Sequence, residues 1–184
     1  MDSDAREHDK GTTGALPASR ARCDTSGLAR SWASSPRGNP SLSKVSSIAR
    51  VQVRGIHHLG VAVADLDEAI TTYERLFGAR IEGRDELSEQ GVSAASLFVG
   101  ENRFELVAPT GDDTHVGRFL ARRGPGMHHV ALETDDIEEA IRRLASEGAQ
   151  MIDETPRRGL FGLEVAFVHP SAVHGVLTEV VFSG

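Results

Sequence analysis

Two adjacent-histidine pairs, His57-His58 and His128-His129, and two glutamates set inside apolar runs, Glu105 and Glu179, are the residues here best suited to chemistry. Imidazole and carboxylate together suit a borderline-hard divalent ion such as cobalt, manganese, nickel, zinc or iron. Each feature alone has an ordinary alternative: a hydrogen-bonded structural histidine, or a glutamate facing solvent on an edge strand. A carboxylate buried in a strand without a partner is costly, however, and a cation removes that cost. One histidine and one glutamate, each present twice, make a two-His, two-Glu shell. Four protein ligands on an octahedral ion leave two adjacent positions, where a substrate can chelate through two oxygens.

The elements that must position these groups are written into an internal repeat. Gly55-Ile-His-His-Leu-Gly-Val-Ala-Val-Ala-Asp-Leu-Asp-Glu-Ala-Ile70 aligns with Gly126-Met-His-His-Val-Ala-Leu-Glu-Thr-Asp-Asp-Ile-Glu-Glu-Ala-Ile141 at an offset of 71, with seven of sixteen positions identical. Each copy opens with a strand of apolar and small residues. A helix follows, capped by Asp65 with Gly78 at its end, or by Asp136 with Gly148 at its end. Shorter strand-like runs come next: 79–84, 92–99 and 103–107 in the first copy, and 150–154, 164–168 and 176–182 in the second. The unit is β-α-β-β-β, twice. The expected fold class is α+β, with two tandem βαβββ modules, residues 54–110 and 125–184, curling into one half-open barrel.

Side chains alternate across a strand. Leu59, Val61 and Val63 share a face with His57 and are expected under the helix. His58 shares the other face with Gly60 and Ala62, whose small size leaves room above the sheet. In the second copy His129 lies with Ala131, opposite His128, Val130 and Leu132. His58 and His129 are therefore the two expected to face the concavity.

Charge and composition narrow the function classes. Residues 1–50 hold eight Lys/Arg against five acids, net +3, so a total of −7 leaves −10 on the remainder. An acidic domain does not suit nucleic acid. The tail, rich in Ser, Gly, Pro, Arg and Ala without apolar period, is expected to be disordered, with the domain occupying residues 51–184. The single cysteine, Cys23, excludes an intrachain disulfide and a cysteine-based metal site. No apolar run is long enough for a membrane span, and the acidic N-terminus lacks the h-region of a secretory signal. A cytoplasmic protein without membrane or nucleic-acid partners is expected.

These residues resemble the vicinal oxygen chelate (glyoxalase/bleomycin resistance/dioxygenase) superfamily, and within it the methylmalonyl-CoA epimerases. The similarity covers roughly residues 55–182. It is carried by Ile56-His-His-Leu-Gly-Val-Ala-Val63, Glu89-Gln-Gly-Val92, Phe104-Glu-Leu-Val-Ala-Pro109, Gly126-Met-His-His-Val-Ala131, Asp153-Glu-Thr-Pro156, Phe167-Val-His-Pro170 and Gly175-Val-Leu-Thr-Glu179. The resemblance implies a metal-dependent 1,1-proton transfer at the carbon between a thioester and a carboxylate, through a metal-stabilised enolate. The family's ligands fall on His58, Glu105 (often Gln in relatives), His129 and Glu179. The resemblance points to cobalt first, with manganese, nickel or zinc also suited. Glu179 is the implied catalytic acid/base. An acyl-CoA substrate and a homodimer are implied as partners.

Three positions depart from the family pattern. Some relatives carry a second glutamate where this chain has Ala94. Many have a lysine where Ser171 stands. The loop Gly159-Leu-Phe-Gly-Leu-Glu164 lacks the usual Gly-Gly-Lys/Arg pattern, and Arg157 and Arg158 are the nearest compensating charges. Other chemistries on the same scaffold are a glyoxalase-type (lactoylglutathione lyase-like) lyase or isomerase, a ring-cleaving dioxygenase using three ligands, and a metal-free binding protein.

Overall fold

The computed structural model describes residues 50–184, so the expected disorder of residues 1–50 lies outside the described residues except at Arg50. The chain forms β1 (Val53–Ala62), α1 (Leu66–Phe77), β2 (Arg80–Leu87), β3 (Val92–Val99) and β4 (Asn102–Pro109). It continues with α2 (His115–Arg123), β5 (Gly126–Thr134), α3 (Ile137–Ser146), β6 (Arg157–Arg158), β7 (Glu164–Val168) and β8 (Thr178–Phe182). Three short 3₁₀ turns sit at Ser88–Gln90, Leu160–Gly162 and Pro170–Val173.

Eight strands make one mixed sheet in the order β2-β3-β4-β1-β5-β8-β7-β6. The order is the same in each half, read outward from the centre. In each, the first strand pairs in parallel with the last, β1 with β4 and β5 with β8. The halves meet where β1 runs antiparallel to β5. The sheet curls as the half-open barrel of the vicinal oxygen chelate fold.

The repeat's helices start and pack as their sequences require. Asp65 accepts from the Glu68 amide and Asp136 from the Glu139 amide, so each aspartate satisfies one otherwise orphaned N–H of the first turn. Gly78 closes α1 in the left-handed region at φ 63°. α1 presses Ile70, with Leu66, Ala69 and Tyr73, onto the convex side of the first half against Val61, Val63, Leu97 and Leu106. α3 presses Ile137 and Ile141 onto Ala166 and Val180 of the second half.

Three local expectations need correction. The run 150–154 is not a strand: Met151 makes a single bridge to Val168, and the short outer strand forms later, at Arg157–Arg158. Asp153 explains part of this. Its carboxylate accepts from the Phe167 amide and from Arg157 Nε, which holds the segment as an irregular connection. α2 was not expected, because its segment is polar and carries three arginines. Thr114 caps it, and Val116, Phe119 and Leu120 bury against Ala62, Ala94 and Val107 at one end of the concave face. His57, expected under α1, is instead half-buried beside His58 and Arg103. A register shift in β1 between Ile56 and His58 breaks the alternation there.

Candidate metal centre

Four neighbouring strands supply one converging group each. β1 brings His58, β4 Glu105, β5 His129 and β8 Glu179. Register explains the convergence: Gly60 pairs with Glu105 on one side and with His129 on the other, and Ala131 pairs with both His58 and Glu179. All four lie on the concave face and are nearly inaccessible, between 2% and 6% exposed.

The two imidazole Nε2 atoms are 3.0 Å apart. His58 Nε2 is 3.2 Å from Glu179 Oε2 and 3.6 Å from Glu105 Oε2, and His129 Nε2 is 3.5 Å from Glu179 Oε2. His58, Glu105 and His129 each offer a donor atom within 4.8 Å of the others. The sequence-predicted residues are thus brought together, all four of them.

Several features of the surroundings fit a cation. Each imidazole's other nitrogen is engaged, His58 Nδ1 with His57 Nδ1 at 2.8 Å and His129 Nδ1 with His128 Nδ1 at 2.9 Å. Such outer contacts fix ring orientation and leave Nε2 aimed inward. Glu179 Oε2 is buried without a hydrogen-bond donor. A buried carboxylate oxygen in that state needs positive charge. Gly60 makes the space: a Cβ there would lie 2.1 Å from His129 Cε1, so any side chain would push the ring aside.

The electrostatics describe a crowded, dry site. Burial pushes the Glu105 carboxyl up to about 7. Burial pulls His58 down, but the Glu179 and Glu105 carboxylates outweigh it and hold His58 above its ordinary value. Burial, helped by His58 and His128, keeps His129 well below its ordinary value and so neutral. Burial likewise lowers His57 and His128 to about 4. Neutral imidazole is the ligating form.

A cavity of about 390 Å³ opens over this floor, lined by His57, His58, Glu82, Gly83, Ser96, Arg103, Glu105, Phe161, Leu163 and Ser183. Its size suits a small-molecule head group. Sequence reasoning missed Glu82, Ser96 and Arg103 in this wall. Strict alternation puts Glu82 on the outer face with Arg80 and Arg84. A register shift between Ile81 and Gly83 turns it inward, and nothing in the sequence marks that bulge. Phe161 reaches the cavity from the second half, its amide donating to Asp85 of the first at 2.7 Å.

Fold and site together define a protein of the vicinal oxygen chelate class. The profile of the Glyoxalase/Bleomycin resistance protein/Dioxygenase superfamily matches residues 57–167. The mitochondrial methylmalonyl-CoA epimerase of Dictyostelium discoideum is 33% identical over 139 residues, covering 74% of this chain and 84% of that protein. The crystal structure of methylmalonyl-CoA epimerase from Mycobacterium tuberculosis matches with a TM-score of 0.70 and 36% identity, over 74% of this chain and 92% of that one. A methylmalonyl-CoA epimerase in complex with methylmalonyl-CoA matches with a TM-score of 0.70 and 34% identity, over 72% of this chain and 96% of that one. The chain belongs to the methylmalonyl-CoA epimerase family, a family of isomerases within that superfamily. Among the described residues, no helix is long and apolar enough to cross a membrane.

Proposed function

We propose that this chain epimerises methylmalonyl-CoA, or a close 2-substituted malonyl thioester, by moving one proton at the carbon between thioester and carboxylate. The observation that carries the reading is the convergence of two imidazole nitrogens and two carboxylates from four strands onto one buried point. His58, Glu105, His129 and Glu179 would hold one divalent ion, cobalt first by family resemblance, with manganese, nickel or zinc also suited. When bound, such an ion supplies Lewis-acid stabilisation of the negative charge that builds on the thioester oxygen as the α-proton leaves.

The remaining work belongs to the chain's own side chains. The Glu179 carboxylate takes the α-proton on one face of the substrate, or returns it there. Phe161 and Leu163 close one wall with apolar surface and keep bulk water from the enolate. The malonyl head enters the cavity while the coenzyme A moiety stays outside it. Arg158 is exposed beside the entrance loop and is the better candidate for a phosphate. Arg157 is committed to Asp153 and stacks on the Phe167 ring.

Proton NMR of methylmalonyl-CoA in heavy water, with cobalt-loaded protein, tests the reading. Loss of the α-proton signal together with interconversion of the two epimers is expected. Replacing Glu179 by Gln should slow exchange by roughly 10²–10⁴-fold, with cobalt content measured alongside. Absence of metal-dependent exchange in the wild-type protein overturns the proposal.

A further inference from the structure

Epimerisation passes through a planar enolate, so a proton must leave one face and arrive at the other. Glu179 accounts for one face only. The inward position on β3 that could oppose it is Ala94, whose methyl carries no proton. We infer that Glu82, on β2, is the acid/base group of the second face. The inference rests on the epimerase reading and deepens it.

Topology makes the argument. β2 is an edge strand of the sheet, with β3, β4, β1 and β5 between it and β8. His58, Glu105, His129 and Glu179 stand on the four neighbouring central strands, and Glu82 stands two strands beyond Glu105, toward the edge of the first half. Glu82 lines the same cavity as His58 and Glu105. Its direction is held at both oxygens. Ser96 Oγ donates to Oε2 at 2.7 Å, and Arg103 Nη2 donates to Oε1 at 2.9 Å. Ser96 is itself 3% exposed and pairs in register with Glu105, so the carboxylate is tied to the floor through a buried hydroxyl. Each carboxylate oxygen has a second lone pair for a substrate proton. Asp85, directly opposite Ala94, is the rival acid. It does not line the cavity, and its oxygens accept from the Phe161 and Glu86 amides.

The step balances without redox change. The α-C–H bond breaks, its electron pair moves into the thioester to give the enolate, and the proton passes to the Glu82 carboxylate. A proton from the Glu179 carboxyl then forms the new C–H bond on the opposite face. The other epimer runs the same path in reverse.

The test uses full-length cobalt-loaded protein and each epimer of methylmalonyl-CoA separately in heavy water. Glu82→Gln is expected to keep cobalt binding and deuterium incorporation into the epimer deprotonated by Glu179. Exchange of the other epimer and interconversion of the two should each fall at least 100-fold. Glu82→Asp, which keeps a shorter carboxylate in place, should recover part of both losses. Interconversion at the wild-type rate in Glu82→Gln overturns the inference. An equal loss for both epimers also overturns it, because a merely structural Glu82 would affect both faces alike. No exchange by the wild-type protein would instead remove the epimerase reading, and this inference with it. The two failures are distinguishable.

Discussion

Gly60 shows how a single residue decides whether this centre can exist. Its missing side chain is the space in which the His129 ring sits. Replacing it with Ala puts a methyl into that ring, and the ring can only move away from the other three groups. Cobalt affinity of Gly60→Ala is therefore expected to fall by roughly 10- to 100-fold, the range seen when a ligand's support is removed. Calorimetric titration with cobalt measures it, and circular dichroism checks that the fold persists. Unchanged affinity would mean that His129 is not held where the geometry puts it. The equivalent position in the second half is Ala131, which pairs with His58 and is fully buried. Gly60 of β1 and Ala131 of β5 thus each lie beside the opposite strand's inward histidine.

At the scale of elements, the repeat works because each strand-to-helix junction is secured by the same device. Asp65 and Asp136 cap α1 and α3 through the amide three residues on. Loss of such a cap costs about 1 kcal/mol. Asp65→Ala and Asp136→Ala should each lower the melting temperature by roughly 2–8 °C, additively in the double variant because the caps share no partner. Thermal melts of the three variants check this, and a double variant matching either single one contradicts it. The strands show a different principle. β1 and β2 each depart from plain alternation, and one register shift in each moves a side chain of the cavity wall: His57 beside His58, and Glu82 into the cavity. α2 closes one end of the concave face with Val116, Phe119 and Leu120.

For the whole molecule, the important fact is that the centre is shared. His58 and Glu105 come from the first half, His129 and Glu179 from the second, and the ion would tie the halves together. A ligand that binds only the folded chain stabilises it by mass action, about 2.7 kcal/mol at a hundredfold excess over its Kd. Cobalt should therefore raise the melting temperature, and a chelator should reverse the rise. The gain depends on pH with a definite sign. Ligation needs Glu105 ionised, and burial pushes its carboxyl up to about 7. Above that value the carboxylate is ready. Below it a proton must first be displaced, so the gain shrinks by up to about 1.4 kcal/mol per pH unit from this group alone. His58, held above its ordinary value, acts in the same direction because it too must lose a proton. Melting curves with and without cobalt between pH 6 and 8 test this. A gain that grows on acidification contradicts it.

How much of this was legible in advance follows the range of each interaction. The duplication, the two capped helices, the inward choice of His58 and His129, and the pairing of each with a strand-borne glutamate were all readable from sequence. They rest on local patterns: a constant offset, alternation with period two, and an aspartate before an apolar helix face. The irregular path after α3, the presence of α2, the bulges that redirect His57 and Glu82, and the Phe161 amide reaching Asp85 were not readable. Each depends on partners far away in sequence, where a shift of one residue in pairing moves a side chain to the other face at no visible cost in composition. The chain alone therefore determined which groups could ligate. Only the half-open sheet, by setting β2 and β3 beside the strands β4, β1, β5 and β8 that carry those groups, decided which others stand around them.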